Sequence, residues 1–331
     1  MKLWQRTLMA AALVGAASAF APQAAVAQQI KIDGSSTVFP IMEAVAEEFQ
    51  ISKRGKVRVT VGIAGTGGGF KKFCRGETDI SNASRPILAE EIAACKAAGI
   101  KYIELPVAFD ALTVVINPKN TWAKTLTVAE LKKIWEPAAQ GRITRWSQVR
   151  AGFPNQPIQL FGPGADSGTF DYFTEAVNGK AKLTRGDYTA SEDDNTLVQG
   201  VENNTNALGY FGYAYYVNHK DKMTAVAVNN GKAAVLPSEA TVINGTYTPL
   251  SRPLFIYVRD TAAARAEVAE LVKFILSKGA PLVREVGYVA LPPAAYAQAQ
   301  KHFDARRVGS VFGGKPEVGI TISELLSREA K

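Results

Sequence analysis

Three segments of the chain put hydroxyls and glycines between a strand pattern and a helix pattern. The first is Asp33-Gly34-Ser35-Ser36-Thr37-Val38-Phe39-Pro40, the second Ala64-Gly65-Thr66-Gly67-Gly68-Gly69-Phe70. The third is Phe161-Gly162-Pro163-Gly164-Ala165-Asp166-Ser167-Gly168-Thr169-Phe170. The chemistry open to such turns is anion binding. A helix start leaves its first N–H groups without partners and carries partial positive charge, and an anion satisfies both. Glycine lets backbone approach a ligand closely, and Ser and Thr add hydroxyl donors. One such turn is also what a plain helix cap looks like; three in one chain ask for a common purpose.

A fourth segment, Asp79-Ile80-Ser81-Asn82-Ala83-Ser84-Arg85-Pro86, adds charge. Arg85 can offer a planar two-pronged donor to an oxyanion, or it is a surface residue at a turn. Pro86 biases it towards extended backbone. The second turn does not read as a nucleotide loop: it lacks the Lys-Ser/Thr ending, and Lys71 and Lys72 follow Phe70 inside the helix pattern.

The elements that must position these turns alternate. Strand patterns fall at 30–33, 57–61, 78–81, 102–107, 112–117, 158–161, 208–211 and 254–258. Helix patterns fall at 40–50, after Gly65, at 128–135, after Gly168 and at 261–277, with Gly279 as the residue that would end the last. Residues 218–250 read as loops and an edge hairpin. The aromatic run Tyr210, Phe211, Tyr213, Tyr215, Tyr216 reads as packing within one unit, or else as the edge of a ligand cleft. The alternation predicts layered α/β architecture.

Residues 1–27 read as an export signal. Lys2 and Arg6 precede an uncharged, Ala-rich stretch, and Ala25-Val26-Ala27 forms a small-residue cleavage site, so the mature chain is expected to start at Gln28. The remaining length, in a chain of 331 residues, suggests two domains. Net charge is +8, or +6 without Lys2 and Arg6, since residues 1–27 hold no acid. That balance favours anionic ligands without naming one. The positive charges are scattered, which with export speaks against nucleic acid as a partner. Cys74 and Cys95 are expected to pair in an oxidising compartment. A metal centre lacks ligands, with only His219 and His302 far off in sequence, and no cofactor is expected.

Assembled, these residues resemble the substrate-binding component of the high-affinity phosphate ABC transporter, over almost all of the mature chain and in the same order. Residues 34–40 match that family's opening Gly-rich, Phe-Pro motif, 65–69 its second loop, 78–86 its Asp-x-x-x-Ala-Ser segment and 164–170 its Ser-Gly-Thr phosphate loop. Gly141 to Trp146, Ala207 to Tyr210 and Leu291-Pro292 fall where the family has similar words. The resemblance implies a two-lobed, type II periplasmic binding protein with a ligand cleft between the lobes. Lobe one would take 28–108 and 252–331, lobe two 109–251, with hinge crossings near Phe109 and Ser251. It implies a periplasmic, monomeric protein that holds inorganic phosphate and delivers it to the transporter's membrane permease subunits. The implied ligands are Ser36, Thr37 and the Val38 N–H from the first turn, Thr66 from the second, and Ser167, Gly168 and Thr169 from the third; Ser84 and Arg85 of the fourth segment join them as candidates read from the residues themselves. Two positions depart: some members carry Asp where this chain has Arg85, and Arg where it has Pro163. The carboxylate that accepts the phosphate proton cannot be copied across; Asp166 is the candidate, its alternative role being a helix-start carboxylate.

Two competing readings carry less. A secreted serine hydrolase or phosphatase would use Asp166-Ser167-Gly168, but a triad needs a positioned histidine and neither His219 nor His302 lies in a recognisable motif. A binder of another tetrahedral oxyanion, such as sulfate or molybdate, would use the same turns. It would differ in lacking a carboxylate that repels unprotonated anions.

Overall fold

Alternation of short apolar strands with amphipathic helices yields two sheets and a small third one. The computed structural model describes residues 28–315 and 317–329; the export signal read in residues 1–27 lies outside them. The first sheet has six strands in the order Val289–Ala290, Tyr102–Ala111, Ser251–Arg259, Ile80–Ala83, Gln28–Gly34, Val57–Val61. The second has five, Thr224–Ala225, Thr113–Ile116, Ala207–Phe211, Gln159–Pro163, Thr189–Ser191. The third joins Ala234–Val235, Ala227–Asn229 and Thr125–Thr127. The hairpin expected in 218–250 is there, as Ala227–Asn229 against Ala234–Val235, but its first strand also pairs in parallel with Thr125–Thr127.

Each sheet carries a parallel portion whose strands run straight into helices. Gln28–Gly34 lies parallel to both Val57–Val61 and Ile80–Ala83. The helices Phe39–Ser52 and Gly65–Phe73 are the crossovers. In the second sheet Gln159–Pro163 lies parallel to Ala207–Phe211 and Thr189–Ser191, and the helix Gly168–Asn178 follows it. Ligands of open α/β sheets gather beyond the carboxyl ends of such strands. All three turns sit there because the chain has nowhere else to reverse.

Two antiparallel strands tie the sheets together. All ten residues of Tyr102–Ala111 are buried, and the strand pairs with Ser251–Arg259 from Ser251 opposite Ala111 to Arg259 opposite Tyr102. A register shift between Leu254 and Phe255 accompanies Pro253, which lies beyond the pairing with Ile80–Ala83, so its missing N–H disturbs only one neighbour. The chain enters the second sheet at Leu112, whose N–H donates to Leu250 O at 2.8 Å.

One local stop signal is overruled. The last long helix does not end before Gly279. A short helix Asp260–Ala263 is followed by Ala266–Glu285, which passes through both Gly279 and Pro281. Gly279 is buried and Val283 beyond it lies in the core, so the lost hydrogen bond at Pro281 is offset by burial of one more turn. Phe274 of this helix meets Phe49 edge-on at 5.7 Å, joining it to Phe39–Ser52.

Glycine at Gly69 is a packing requirement: a Cβ there would come within 2.6 Å of Gly34 Cα and 3.0 Å of Ser81 Oγ. Cys74, at the end of the same helix, is joined to Cys95 of the helix Ala89–Ala97 by a disulfide. The sequence separation is 21, and closing a loop of that size contributes about 3 kcal/mol in the chain-entropy model. Cys74→Ser/Cys95→Ser is expected to lower unfolding free energy by about that amount in urea titrations monitored by circular dichroism, with the m-value rising as the denatured chain loosens.

Candidate ligand cleft

The three turns converge from two lobes onto one buried cluster. Ser36, Thr37, Val38, Thr66, Ser84, Ser167 and Thr169 are each at most 2 % exposed. Thr37 Oγ1 and Thr169 Oγ1 share a hydrogen bond of 2.9 Å across the cleft. Thr66 Oγ1 and Ser84 Oγ lie 3.2 Å apart, and the Ser84 N–H donates to Thr66 Oγ1 at 3.2 Å. Gly168 closes over this pair. A Cβ at Gly168 would land 2.6 Å from the Ser84 hydroxyl and closer still to that of Thr66, so only glycine fits.

The backbone explains the residue types. Ser167 caps its own helix, its Oγ accepting from the Thr169 and Phe170 N–H groups. The first turn has no side-chain cap, with Val38 at the capping position and Pro40 in the first helical turn. Among the described residues, the N–H groups of Ser36, Thr37, Val38, Thr66 and Gly168 donate to no acceptor. Buried N–H groups without acceptors are rare in folded proteins. Five of them, from three helix starts, describe a receptacle for negative charge.

Positive charge enters through a residue that sequence reading misses. Arg252 is fully buried, and its Nη2 donates to Thr169 Oγ1 at 2.7 Å and to Thr37 Oγ1 at 3.3 Å, while Nη1 donates to Gly168 O at 3.1 Å. Asp110, equally buried, holds it: Nε and Nη2 donate to Asp110 Oδ2 at 3.2 and 3.0 Å. The Tyr213 N–H donates to the other oxygen at 2.9 Å. Burial pushes the Asp110 carboxyl up, while Arg252 and the Tyr213 N–H pull it back. A charge inside the largely apolar strand Ser251–Arg259 is the signal that could have flagged Arg252.

Arg85 is buried, not on the surface, and it is engaged. Nε donates to Asp171 Oδ2 at 2.6 Å, Nη1 to Pro86 O and Glu91 Oε2, and Nη2 to Glu91 Oε1. The protein's own acceptors thus take four of its N–H donors. Its bond to Asp171 spans the cleft, from the segment after Ile80–Ala83 to the helix Gly168–Asn178. Burial pushes the Asp171 carboxyl up and Arg85 pulls it down. Asp166 is not brought into the cluster. Its carboxylate is 42 % exposed and paired with Lys71 at 2.6 Å, while its carbonyl accepts the Gly67 N–H at 2.8 Å. It clasps the rim of the cleft. The aromatic run divides. Tyr210 stacks on Phe173 with centroids 3.8 Å apart, inside its lobe, whereas the Tyr215 hydroxyl reaches across to Ser36 O at 2.9 Å.

Two lobes of α/β build, joined by two crossings and meeting over buried helix starts, define an extracytoplasmic-type solute-binding fold. A model of the PBP superfamily domain matches residues 19–278. Protein SphX of Synechococcus elongatus is 55% identical over 319 residues, covering 95% of this chain and 93% of its own length. Phosphate-binding protein PstS of Staphylococcus saprophyticus is 38% identical over 281 residues, covering 83% and 84%. Among solved structures, a possible phosphate binding protein from Planctomyces limnophilus superposes with a TM-score of 0.63 at 53% identity, over 85% of this chain and 99% of that one. A putative phosphate ABC transporter substrate-binding protein from Clostridium perfringens, with bound phosphate, gives 0.69 at 29% identity, over 80% and 100%. The chain belongs to the PBP superfamily, among its Pst-type phosphate-binding proteins.

The Asp110–Arg252 pair yields a direct test. Removing one partner of a fully buried ion pair strands the other charge, so Asp110→Ala is expected to cost about 3–5 kcal/mol of stability. Urea unfolding of Asp110→Leu/Arg252→Met should show a smaller loss than Asp110→Ala alone, because the double change leaves no buried charge unpaired.

Proposed function

We propose that this chain captures inorganic phosphate outside the cytoplasmic membrane and hands it to the permease of an ABC transporter, acting as a monomer in the periplasm. One observation carries the reading: five buried N–H groups without acceptors, from helix starts in both lobes, ringed by the hydroxyls of Thr37, Thr66, Ser84 and Thr169. Phosphate as the anion is supported by the relatives, a phosphate-binding protein among them and a substrate-binding protein with phosphate bound. No helix among the described residues is long and apolar enough to cross a membrane.

The mechanism is exchange of water for fixed donors. A dehydrated oxyanion loses its hydration, at a cost of several kcal/mol. It regains hydrogen bonds of about 1.5–3 kcal/mol each from the five N–H groups without acceptors and from the hydroxyls beside them. Arg252 supplies the charge beside them, its position fixed by Asp110. In this reading the moving bodies are residues 28–108 with 252–331 and residues 109–251, closing about the crossings. Ser36, Thr37, Val38, Thr66, Ser84, Ser167, Gly168 and Thr169 are assigned to the ligand. Arg85, through Asp171, and Asp166, through Lys71 and Gly67, are assigned to holding the closed form. No bond is made or broken. The Ser167 hydroxyl is engaged as a helix cap, and no histidine is hydrogen-bonded to it among the described residues.

Calorimetric titration of the purified mature chain tests this. Phosphate is expected to bind with micromolar affinity or better, and Thr37→Val to weaken it ten- to hundredfold, the share of one charge-assisted hydrogen bond. Competition with a hundredfold excess of sulfate separates phosphate from oxyanions in general, and phosphate that stays bound supports the assignment. Displacement by sulfate would move the assignment to oxyanions in general, and no binding of either would end it.

A further inference from the structure

A fourth strand-to-helix turn opens on the same cleft, and it brings a carboxylate. The strand Thr189–Ser191 runs parallel to Gln159–Pro163, and the helix Asp194–Glu202 starts just beyond it. Asp193 does the capping, its carboxylate accepting the Asn195 N–H at 2.9 Å. Asp194 has no exposed surface, and neither of its carboxylate oxygens takes part in a hydrogen bond of good geometry among the described residues.

Both lobes enclose it. From its own lobe come Asp193, the Gly212 N–H and Tyr215, the last facing Glu43 of the other lobe as well. From lobe one come Arg252 and Tyr288, whose hydroxyl is also buried and without a partner, and from the crossing between the lobes comes Asp110. Gly212 itself is pressed against lobe one: a Cβ there would lie 2.9 Å from the Tyr288 hydroxyl and 3.0 Å from the Thr37 methyl. Tyr215, one turn further on, is bonded to Ser36 O. The dry surroundings of Asp194 are therefore built from both lobes.

We propose that Asp194 couples lobe closure to the uptake of one proton, being ionised when the lobes part and water reaches it, and neutral when they close. The inference rests on the closing cleft described above, and is indifferent to which anion closes it. Burial pushes the Asp194 carboxyl up to about 7; Arg252 and the Gly212 N–H pull it down, and Asp110 and Asp193 push it further up. In the open form an ordinary aspartate value of about 4 applies. The closed-form value is the raised one, so its advantage is complete below about pH 4. It falls about tenfold per pH unit between 4 and 7, then levels off.

Phosphate titrations of wild type and Asp194→Asn by calorimetry, from pH 5 to 8 in two buffers of different ionisation enthalpy, decide it. Protonation of phosphate itself enters both proteins alike and cancels in the ratio of affinities. The wild type should lose about tenfold per pH unit relative to Asp194→Asn between pH 5 and 7, and take up close to one more proton at pH 6. A ratio that does not change with pH, or equal proton counts, overturns the proposal. A second readout needs no ligand: small-angle scattering of the free wild type should show a smaller radius of gyration at pH 5 than at pH 8, with Asp194→Asn unchanged between them. A wild-type radius independent of pH overturns the proposal too. Failure of both proteins to bind phosphate would remove the phosphate reading while the scattering comparison still decides the role of Asp194.

Discussion

A backbone N–H taken out of water needs an acceptor, and this protein withholds one at five places that meet. The rest of the structure follows from that constraint. A buried donor left unmatched costs on the order of 1–3 kcal/mol, so the closed arrangement of Ser36, Thr37, Val38, Thr66 and Gly168 is expensive unless an anion completes it. The parallel strands, the tight helix entries and the glycines that let Gly168 lie against Thr66 and Ser84 all bring those donors to one point. A fold that pointed the same helix starts at solvent would be more stable alone and would recognise nothing.

The charges are arranged with equal restraint. Each arginine in the cleft is matched by carboxylates: Arg252 by Asp110, Arg85 by Asp171 and Glu91. The attraction for an anion therefore comes from dipoles and fixed donors, with one guanidinium edge among them, instead of from a bare positive patch. Bare charge would bind any anion and would fade with salt; buried donors are screened little and read shape. Lys71 and Asp166, exposed at the rim, form the part of the cleft that salt can loosen.

How much of this was visible in the chain depends on how local each signal is. The three turns were legible because Gly, Ser and Thr at a strand-to-helix junction act within a few residues of one another. The alternating sheets were legible for the same reason. Arg252 was not: in Leu250 to Val258 it is one charge in an apolar run, and its meaning depends on Asp110, opposite it in register but 142 residues away. Arg85 could be noticed but not interpreted, since its partner Asp171 lies 86 residues further along the chain. At Gly279 and Pro281 the local stop signals are genuine and are outweighed by burial further along the helix. Asp194 sits beside a better cap, Asp193, and nothing nearby in sequence tells which of the two faces inward.

The pairing of Arg252 with Asp110 occurs at the last rungs of the ladder before the chain leaves the first sheet. In a rotation, displacement grows with distance from the axis, and these two side chains stand within a residue or two of both crossings. If the lobes turn about those crossings, as proposed above, the guanidinium lies near the axis and moves little, while groups farther out in the cleft move more. The guanidinium beside the free N–H donors would then stay nearly stationary in the frame of that motion. A guest held there would sit at the pivot, where the two walls part least.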